Sequence, residues 1–171
     1  MEYRTEYDSP LGAITLLAED GALTGLRFGA RERGAVPPKR EPFLKTPPVL
    51  RETVRWLDLY FGGANPGFIP NLLIKGTPFR REVCRLLLTI PYGETTTYGR
   101  LARRIAADRG VARMSAQAVG GAVGHNPVSL IVPCHRVIGA HGALVGYGGG
   151  LDRKAALLAL EHANLSGNFI P

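Results

Sequence analysis

Residues 96–123, TTYGRLARRIAADRGVARMSAQAVGGAV, predict two short helices and the turn between them. Thr96 or Thr97 can cap a helix, because a threonine side chain accepts a hydrogen bond from the first helical turn. Residues at the spacing of one helical face follow: Tyr98, Leu101, Ala102 and Ile105. After a basic turn over residues 107–113, Ser115 can cap a second helix. Two short helices joined by such a turn have the form of a helix-turn-helix.

Three more elements are predicted around this pair of helices. Thr77-Pro78 provides a cap and a proline at the first helical position, and Pro91-Tyr92-Gly93 ends that helix. Val128–Val132 is apolar and predicts a short buried strand. The last helix is expected to begin near Asp152 and to end before Glu161. Its predicted packing residues are Leu151, Ala155 and Leu158.

The N-terminal part predicts a small sheet with one helix. Runs of strand-forming residues separated by turn sequences predict strands over Glu2–Asp8, Ala13–Ala18 and Ala22–Phe28. Val49–Phe61 has helical spacing and stops at two glycines. Loop composition predicts a surface loop over 31–48, and a last short strand is expected at 71–75. The fold class is therefore α+β, with a supporting domain over 1–75 and a mostly helical domain over 76–171.

Charge is distributed unevenly between these two parts. Residues 1–76 carry ten Lys and Arg against nine Asp and Glu, whereas residues 77–171 carry eleven against five. Most of the net charge of +7 therefore lies in the second part. Five of its arginines crowd around Asp108: Arg100, Arg103, Arg104, Arg109 and Arg113. This asymmetry suggests a polyanionic partner, and a solvated basic face without a partner explains it equally well.

The second helix of the pair contains Gly120-Gly121, which is unusual. A glycine inside a helix costs roughly 1 kcal/mol relative to alanine. Tight packing against a neighbouring element would explain the pair structurally. Close approach of a nucleic-acid backbone would explain it functionally, and this interpretation is slightly favoured.

Composition excludes several classes of protein. Two cysteines cannot form a disulfide framework, and no spacing typical of a structural zinc site is present. No signal peptide or membrane-length apolar segment is evident, so a soluble cytoplasmic protein is expected. Cys84 is expected to be a small buried apolar residue.

Cys134 has a more reactive setting, in the sequence Val132-Pro133-Cys134-His135-Arg136-Val137. The thiolate is the nucleophilic form of cysteine, and a neighbouring base or cation promotes it. His135 and Arg136 are adjacent and supply both types of group. Glu161, in the last turn of a helix, opposes the helix dipole, which hints at a cationic or hydrogen-bonding partner.

Pro133-Cys134-His135-Arg136-Val137 resembles the active-site signature of the O6-alkylguanine-DNA alkyltransferases. The similarity covers residues 76–162 and is weaker in the N-terminal half, where it rests on length, hairpin pattern and the turn at 9–12. The other matching motifs are Gly76-Thr77-x-Phe79, Ile90-Pro91-x-Gly93-x-Thr95, Tyr98-x-x-Leu101-Ala102, Ala118-Val119-Gly120-Gly121-Ala122, Asn126-Pro127 and Gly146-Tyr147-x-Gly149-Gly150, with Lys154, Leu157-Leu158 and Glu161.

The resemblance implies a winged-helix-like DNA-binding domain and a single-turnover repair reaction. An alkyl group passes from O6 of guanine, or secondarily O4 of thymine, to Cys134 and stays there. The implied partner is double-stranded DNA docked through its minor groove, with the damaged nucleotide rotated out of the duplex. A monomer without cofactor is expected. Some family members hold zinc in the N-terminal domain, but residues 1–76 contain neither cysteine nor histidine, so no metal is predicted.

The resemblance also implies catalytic roles. His135 takes the thiol proton through a water, and Glu161 holds the histidine, as the acid does in other nucleophile–base relays. Tyr98 helps to rotate the nucleotide and donates a hydrogen bond to the base. Arg136 either favours the thiolate or forms a buried structural ion pair, and the structural role is favoured.

The implied binding residues lie on both sides of the cysteine. Asn126 ties the helix-turn-helix to the active-site segment, the Val137 carbonyl reads the guanine amine, and Tyr147 with Gly148 lines the alkyl pocket. Pro133 is structural. DNA contacts are expected from Arg113, Ser115, Gln117, Ala118, Gly120 and Gly121.

One departure concerns the residue that replaces the rotated base. The family commonly has arginine at the position of Gln117, which keeps hydrogen-bonding capacity but lacks the charge, and Arg113 is a candidate to compensate. Two other departures from the family are Arg80, where glutamine is usual, and Cys84, where tryptophan is usual. Both are expected to affect packing or the surface of the first helix of this domain and not catalysis. Two alternatives stay open: a DNA-binding module without chemistry, of the alkyltransferase-like type, and a weaker one, a Cys-His hydrolase.

Overall fold

The computed structural model describes residues 1–29 and 46–171, which form two compact units. Unit 1 comprises Met1–Lys75 with Pro127–Ser129, and unit 2 comprises Gly76–Asn126 with Leu130–Pro171. The α+β fold class predicted from the sequence is confirmed. Most of the predicted surface loop over 31–48 lies outside the described residues.

Unit 1 is a three-stranded antiparallel sheet with one helix. The strands are β1 (Glu2–Ser9), β2 (Gly12–Glu19) and β3 (Ala22–Phe28), in the order β1-β2-β3, and the helix is α1 (Pro48–Phe61). The three strand predictions and the helix prediction are confirmed to within one residue at each end. The strand expected at 71–75 is reduced to one bridge between Leu23 and Leu72. The core is apolar and includes Ile14, Leu16, Leu26, Leu57 and Tyr60.

The prediction of a strand over Val128–Val132 is wrong. Val128 makes one isolated bridge with Leu26. Leu130 then takes a φ of 69°, which is incompatible with an extended chain. The expected burial is confirmed, because Val128, Leu130, Ile131 and Val132 are all buried. The apolar run was therefore a signal of burial, and it was compatible with a buried turn.

Unit 2 has four helices, α2 (Pro78–Leu87), α3 (Tyr98–Asp108), α4 (Ala116–Gly124) and α5 (Leu151–Leu160). The three caps predicted from the sequence are present. The side chains of Thr77, Thr97 and Ser115 each accept a hydrogen bond from the backbone N–H three residues later. Since α4 packs against both α2 and α3, the helix-turn-helix α3–α4 rests on the first helix of the unit.

A small parallel strand pair lies between the helices of unit 2. It joins β4 (Thr96–Thr97) to β5 (Val137–Ile138). Tyr98 begins α3 directly after β4, and a 3-10 turn over Cys134–Arg136 directly precedes β5. The pair therefore fixes Tyr98 and Cys134 relative to each other through two short backbone connections.

The C-terminal segment lies along the other side of β4. Asn168 forms an antiparallel bridge with Thr96, and the Thr96 hydroxyl donates to the Phe169 carbonyl at 2.8 Å. The Phe169 N–H donates to the Thr95 carbonyl at 3.0 Å. Gly167 packs against Thr97 and Ile138. The segment thus holds the strand pair that positions Tyr98 and Cys134.

The packing face predicted for α5 is partly wrong. Leu151 is 47% exposed and Ala155 is exposed, whereas Leu157 and Leu158 are buried as part of the core. Lys154 is fully buried on that same face, three and four residues before these leucines. Backbone carbonyls that accept hydrogen bonds from its ammonium make this burial possible. No helix among the described residues is long and apolar enough to cross a membrane.

Candidate active site and nucleic-acid interface

Cys134 is buried at the first position of the 3-10 turn, in a segment whose backbone is fixed on both sides. Its N–H donates to the Val132 carbonyl at 2.8 Å. The same carbonyl accepts a hydrogen bond from the Asn126 side-chain amide at 2.7 Å. The turn after α4, which carries Asn126, is thereby tied to the segment that presents the thiol. Pro133, also buried, precedes the turn.

A buried network of charged groups surrounds Glu161, immediately after α5. Glu161 Oε1 lies 2.6 Å from His135 Nε2, and Glu161 Oε2 accepts from Arg136 Nε at 2.9 Å. Arg136 Nη2 also reaches Glu161 Oε1 at 3.1 Å, and its Nη1 donates to the Ile90 carbonyl at 2.7 Å. The Gly93 N–H donates to Glu161 Oε2 at 3.1 Å. Both partner types suggested by the place of Glu161 in the helix are present.

The protonation states within this network follow from burial and charge. Burial opposes ionisation of Glu161, but hydrogen bonds and charges from His135 and Arg136 outweigh it and hold the pKa of Glu161 below its usual range. Burial lowers the pKa of His135 despite the opposing effect of Glu161, and Arg136 and Lys154 lower it further. The histidine is therefore neutral near pH 7 while the glutamate is ionised.

A neutral His135 that donates from Nε2 to Glu161 carries its lone pair on Nδ1. This tautomer is a base oriented by a carboxylate, and it stands next in sequence to a buried thiol. Arg136 contacts Glu161 by two nitrogens and a backbone carbonyl by a third. These contacts agree with the structural ion pair favoured for Arg136.

Two tyrosines lie near the thiol. Burial and the charge of Cys134 raise the pKa of Tyr98 and of Tyr147. The Tyr98 hydroxyl donates to the Val145 carbonyl at 3.1 Å, with the Gly146 carbonyl at 3.4 Å. Tyr98 therefore bridges the start of α3 to the glycine-rich loop over 145–150, hereafter the glycine loop, which also carries Tyr147 and the exposed Gly148.

Lys154 is a further candidate site residue, which the sequence analysis matched to the family without assigning it a role. Its ammonium donates to the carbonyls of Val137 in β5 and of Val145 and Gly146 in the glycine loop. It also lies 5.9 Å from the centre of the Tyr98 ring. The missed signal was a lysine on the apolar face of α5, at helical spacing from Leu157 and Leu158.

Cys84, the second cysteine, is buried on α2 as predicted. Burial and the charge of Cys134 raise its pKa to about 11. It therefore remains a thiol under conditions in which a reactive cysteine would ionise.

The exposed surface of α4 consists of small and uncharged residues. Gln117, Ala118 and Gly121 are exposed, and a Cβ atom added at Gly121 would meet no atom within 4 Å. A Cβ atom at Gly120 would lie 3.7 Å from the Tyr98 ring. Packing within the protein therefore requires a glycine at neither position, which favours the interpretation that α4 approaches an external partner closely.

The arginines near α4 are exposed, and two of them are in ion pairs. Arg104 pairs with Asp108, and Arg109 pairs with Glu82. Arg103 and Arg113 are likewise exposed. The structure brings together Tyr98, Cys134, His135, Arg136, Tyr147 and Glu161, while Arg113, Ser115, Gln117, Ala118 and Gly121 lie on or before the exposed side of α4. The described residues contain no cluster of three or more metal-ligating side chains.

Comparisons with known proteins agree over both units. A sequence model described as the 6-O-methylguanine DNA methyltransferase DNA-binding domain matches residues 78–163, and one for the ribonuclease-like domain of the same family matches residues 3–68. A methylated-DNA–protein-cysteine methyltransferase of Mycolicibacterium paratuberculosis is 49% identical over 161 residues, which cover 94% of this chain and 92% of that protein.

Two further relatives extend this agreement. A methylated-DNA–protein-cysteine methyltransferase of Methanosarcina acetivorans is 39% identical, with 93% of this chain and 97% of that protein covered. The crystal structure of Mycobacterium tuberculosis OGT in complex with DNA is 45% identical, with a TM-score of 0.76 over 92% of this chain and 91% of that one.

Proposed function

The chain belongs to the 6-O-methylguanine DNA methyltransferase family, and we propose that its reactive residue is Cys134. It is a methylated-DNA–protein-cysteine methyltransferase, which repairs DNA by transferring an alkyl group directly to a cysteine of its own. The observation that carries the proposal is the buried thiol of Cys134 beside the network of His135, Arg136 and Glu161.

The proposed reaction is a displacement at the alkyl carbon attached to O6 of guanine. The Cys134 sulfur forms a bond to that carbon while the carbon–oxygen bond breaks, so guanine is the leaving group. The thiol proton passes to His135, whose Nδ1 is basic because Nε2 donates to Glu161. The departing guanine takes up a proton from solvent, and the protonated His135 releases the thiol proton to solvent, so the protons balance. The Tyr98 hydroxyl would turn from the Val145 carbonyl to donate its hydrogen bond to the base. The S-alkylcysteine is stable, so each molecule reacts once, and O4-alkylthymine is a secondary substrate.

The DNA is proposed to dock by its minor groove on α4. The open surface at Gly121 supports this, because a small side chain lets the helix axis approach the sugar–phosphate backbone. Arg113 would contact phosphates, Ser115 and Ala118 would lie against the backbone, and Gln117 would occupy the space left by the rotated nucleotide. Gly120, which lies beside the ring of Tyr98, would also leave space for the backbone of the DNA.

The rotated base is proposed to enter between β5 and the glycine loop. The Val137 carbonyl would accept from the guanine amine, and Tyr147 with Gly148 would line the space for the alkyl group. Asn126 and Pro133 would hold the backbone beside the thiol. Unit 1 is proposed to be a supporting domain for the catalytic and DNA-binding domain of residues 76–171. The protein is proposed to act as a cytoplasmic monomer.

The test is incubation with a duplex that carries O6-methylguanine labelled in its methyl group. Stoichiometric transfer of label to wild-type protein, and none to Cys134→Ala, is expected. Repeated turnover would contradict the single-use mechanism and favour a Cys-His hydrolase. Tight binding with an intact lesion would favour the non-catalytic, alkyltransferase-like binding module instead.

Salt dependence tests the proposed interface separately. Phosphate contacts release counterions, so duplex affinity is expected to fall steeply with salt. In a plot of the logarithm of affinity against the logarithm of salt concentration, the magnitude of the slope should decrease by about 1 in Arg113→Gln if that arginine contacts a phosphate. An unchanged slope would remove Arg113 from the interface without affecting the assignment of Cys134.

A further inference from the structure

Lys154 is the one fully buried lysine among the described residues, and the proposed reaction does not use it. Three backbone carbonyls accept hydrogen bonds from its ammonium, with Val145 at 2.8 Å and Gly146 at 3.2 Å in addition to Val137. An ammonium has three donors, so three carbonyl acceptors match its capacity. The arrangement is a complete binding site for a charged lysine.

These three carbonyls come from the two sides of the proposed base pocket. Val137 lies in β5, directly after the Cys134 turn, and Val145 and Gly146 open the glycine loop. The Tyr98 hydroxyl donates to the same two loop carbonyls. Lys154 and Tyr98 therefore share acceptors, and Lys154 adds the connection to β5.

The charge on Lys154 is also close to the reacting groups. The titratable groups that face it are Tyr98 from α3, and Cys134 and His135 from the 3-10 turn. Burial lowers the pKa of Lys154 to about 8, and the charge of Cys134 opposes that change. Lys154 in turn lowers the pKa of His135. The lysine thus favours both a thiolate and a neutral histidine.

We propose that Lys154 is a positioning residue for alkyl transfer, whose ammonium holds β5 and the glycine loop at the separation that the rotated base requires. This inference rests on the proposed function. The lysine does not touch the alkyl carbon or the leaving oxygen; it acts through Val137, Val145 and Gly146. Its charge also stabilises the Cys134 thiolate before the alkyl group is transferred.

A purely structural role is a poorer explanation of a charged residue in this place. Burying a charge is unfavourable unless it is well paired, whereas a methionine of similar length would fill the same volume without that cost. Unit 2 therefore carries a charge in its interior that packing alone does not require.

The experiment compares Lys154→Met, Lys154→Arg and the control Arg153→Met in single-turnover alkyl transfer from an O6-methylguanine duplex. Arg153 is the adjacent residue of α5 and donates to the Gly149 carbonyl at 2.9 Å, so its replacement removes a neighbouring cation that contacts the same loop. Lys154→Met is expected to lower the transfer rate constant about 10²-fold, the scale of a misplacement of about 1 Å. Its dissociation constant for an undamaged duplex should stay at the wild-type value, because Lys154 is not on the surface. Arg153→Met should keep the wild-type rate constant.

The pH profile separates positioning by the charged lysine from simple filling of space. In the wild type, the rate constant is expected to fall as pH rises through about 8, where Lys154 loses its proton. Lys154→Arg keeps a charge at every pH used, so the decrease should be absent from that variant even if its absolute rate is lower. An identical decrease in Lys154→Arg would overturn the proposal.

The thermal melt of each variant shows whether a lost rate reflects lost folding. A melting temperature near the wild-type value with a reduced rate constant supports positioning. A large fall in melting temperature with an unchanged rate constant per folded molecule would assign Lys154 a structural role only. Failure of the wild type to accept label would instead refute the proposed function, so the two failures are distinguishable.

Discussion

The two units differ in what their interiors contain. Among the described residues, unit 1 buries apolar side chains and two threonines, Thr24 and Thr53, and its charged side chains stay at least partly exposed. Unit 2 buries an apolar core as well, but it also encloses His135, Arg136, Lys154 and Glu161.

This difference indicates where stability and chemistry are located. Removing apolar surface from water stabilises a fold by roughly 25 cal/mol per Å². This gain is sufficient to explain why the interior of unit 1 is apolar. A buried ion pair often contributes no more than apolar residues of similar volume would. The charges inside unit 2 are therefore better explained by the reaction than by stability. Removing the carboxylate that pairs with two of them should affect both properties, because it leaves His135 and Arg136 without their shared partner.

The largest effect is expected from Glu161→Gln. This change leaves Arg136 and His135 without their shared carboxylate, and breaking a buried pair in this way destabilises by about 3–5 kcal/mol. It should also lower the transfer rate constant by about 10²–10⁴-fold, because His135 loses the group that orients it as a base. Chemical denaturation and single-turnover transfer measure the two effects.

Acid should reduce the stability difference between wild type and Glu161→Gln. The pKa of Glu161 is lowered in the folded state, so its contribution is fully present above about pH 4.3, the unfolded value, and is lost as pH falls further. A difference that stays constant down to pH 2 would contradict the assigned ionisation.

Leu57→Ala in unit 1 is the matched control for stability. Leu57 is fully buried. Its truncation should lower the free energy of unfolding by about 2–5 kcal/mol, similar to Glu161→Gln. The rate constant per folded molecule should nevertheless remain that of the wild type. Equal loss of rate in both variants would remove the contrast between the units.

Sequence information was sufficient for features set by neighbouring residues. The caps Thr77, Thr97 and Ser115 depend on a side chain and a backbone N–H three residues away, so local chemistry determines them. The turns of the N-terminal hairpins are likewise determined by adjacent residues. The pattern around Cys134 was equally informative, because the resemblance extends over most of unit 2.

Features set by distant residues were missed. The φ of Leu130 and the exposure of Leu151 depend on how the chain packs after it folds, and neither residue type signals it. Lys154 was matched to the family without a role. A lysine is almost always exposed, and only the positions of three distant carbonyls make its burial favourable.

A smaller effect is expected from Gly167→Ala, which tests steric packing in unit 2 without changing a charge. Gly167 has a φ of 66°, and a Cβ atom there would lie 2.8 Å from Thr97 Cγ2. Thr97 caps α3 immediately before Tyr98, so the displacement should reach the tyrosine. We expect the free energy of unfolding to fall by about 1–3 kcal/mol more than backbone strain alone would lower it. The transfer rate constant should fall as well.

Gly67→Ala supplies the control for Gly167→Ala. Gly67 in unit 1 has a φ of 72°, and a Cβ atom there would meet nothing within 4 Å. Both variants therefore carry similar backbone strain, and their difference isolates the contact with Thr97. Equal stability of the two proteins would show that β4 accommodates the methyl group.

The smallest effect is expected from Lys75→Gln, which removes an ion pair with Glu19 on the surface of unit 1. Both side chains contact solvent, so water screens the attraction and replaces the hydrogen bond when the lysine is lost. The melting temperature and the transfer rate constant should both equal those of the wild type within error. A clear loss of stability would show that unit 1 also depends on paired charges, and the contrast with the buried carboxylate of Glu161 would then be one of degree. An unchanged protein would show that only enclosed charge, as in unit 2, links ionisation to both stability and reaction.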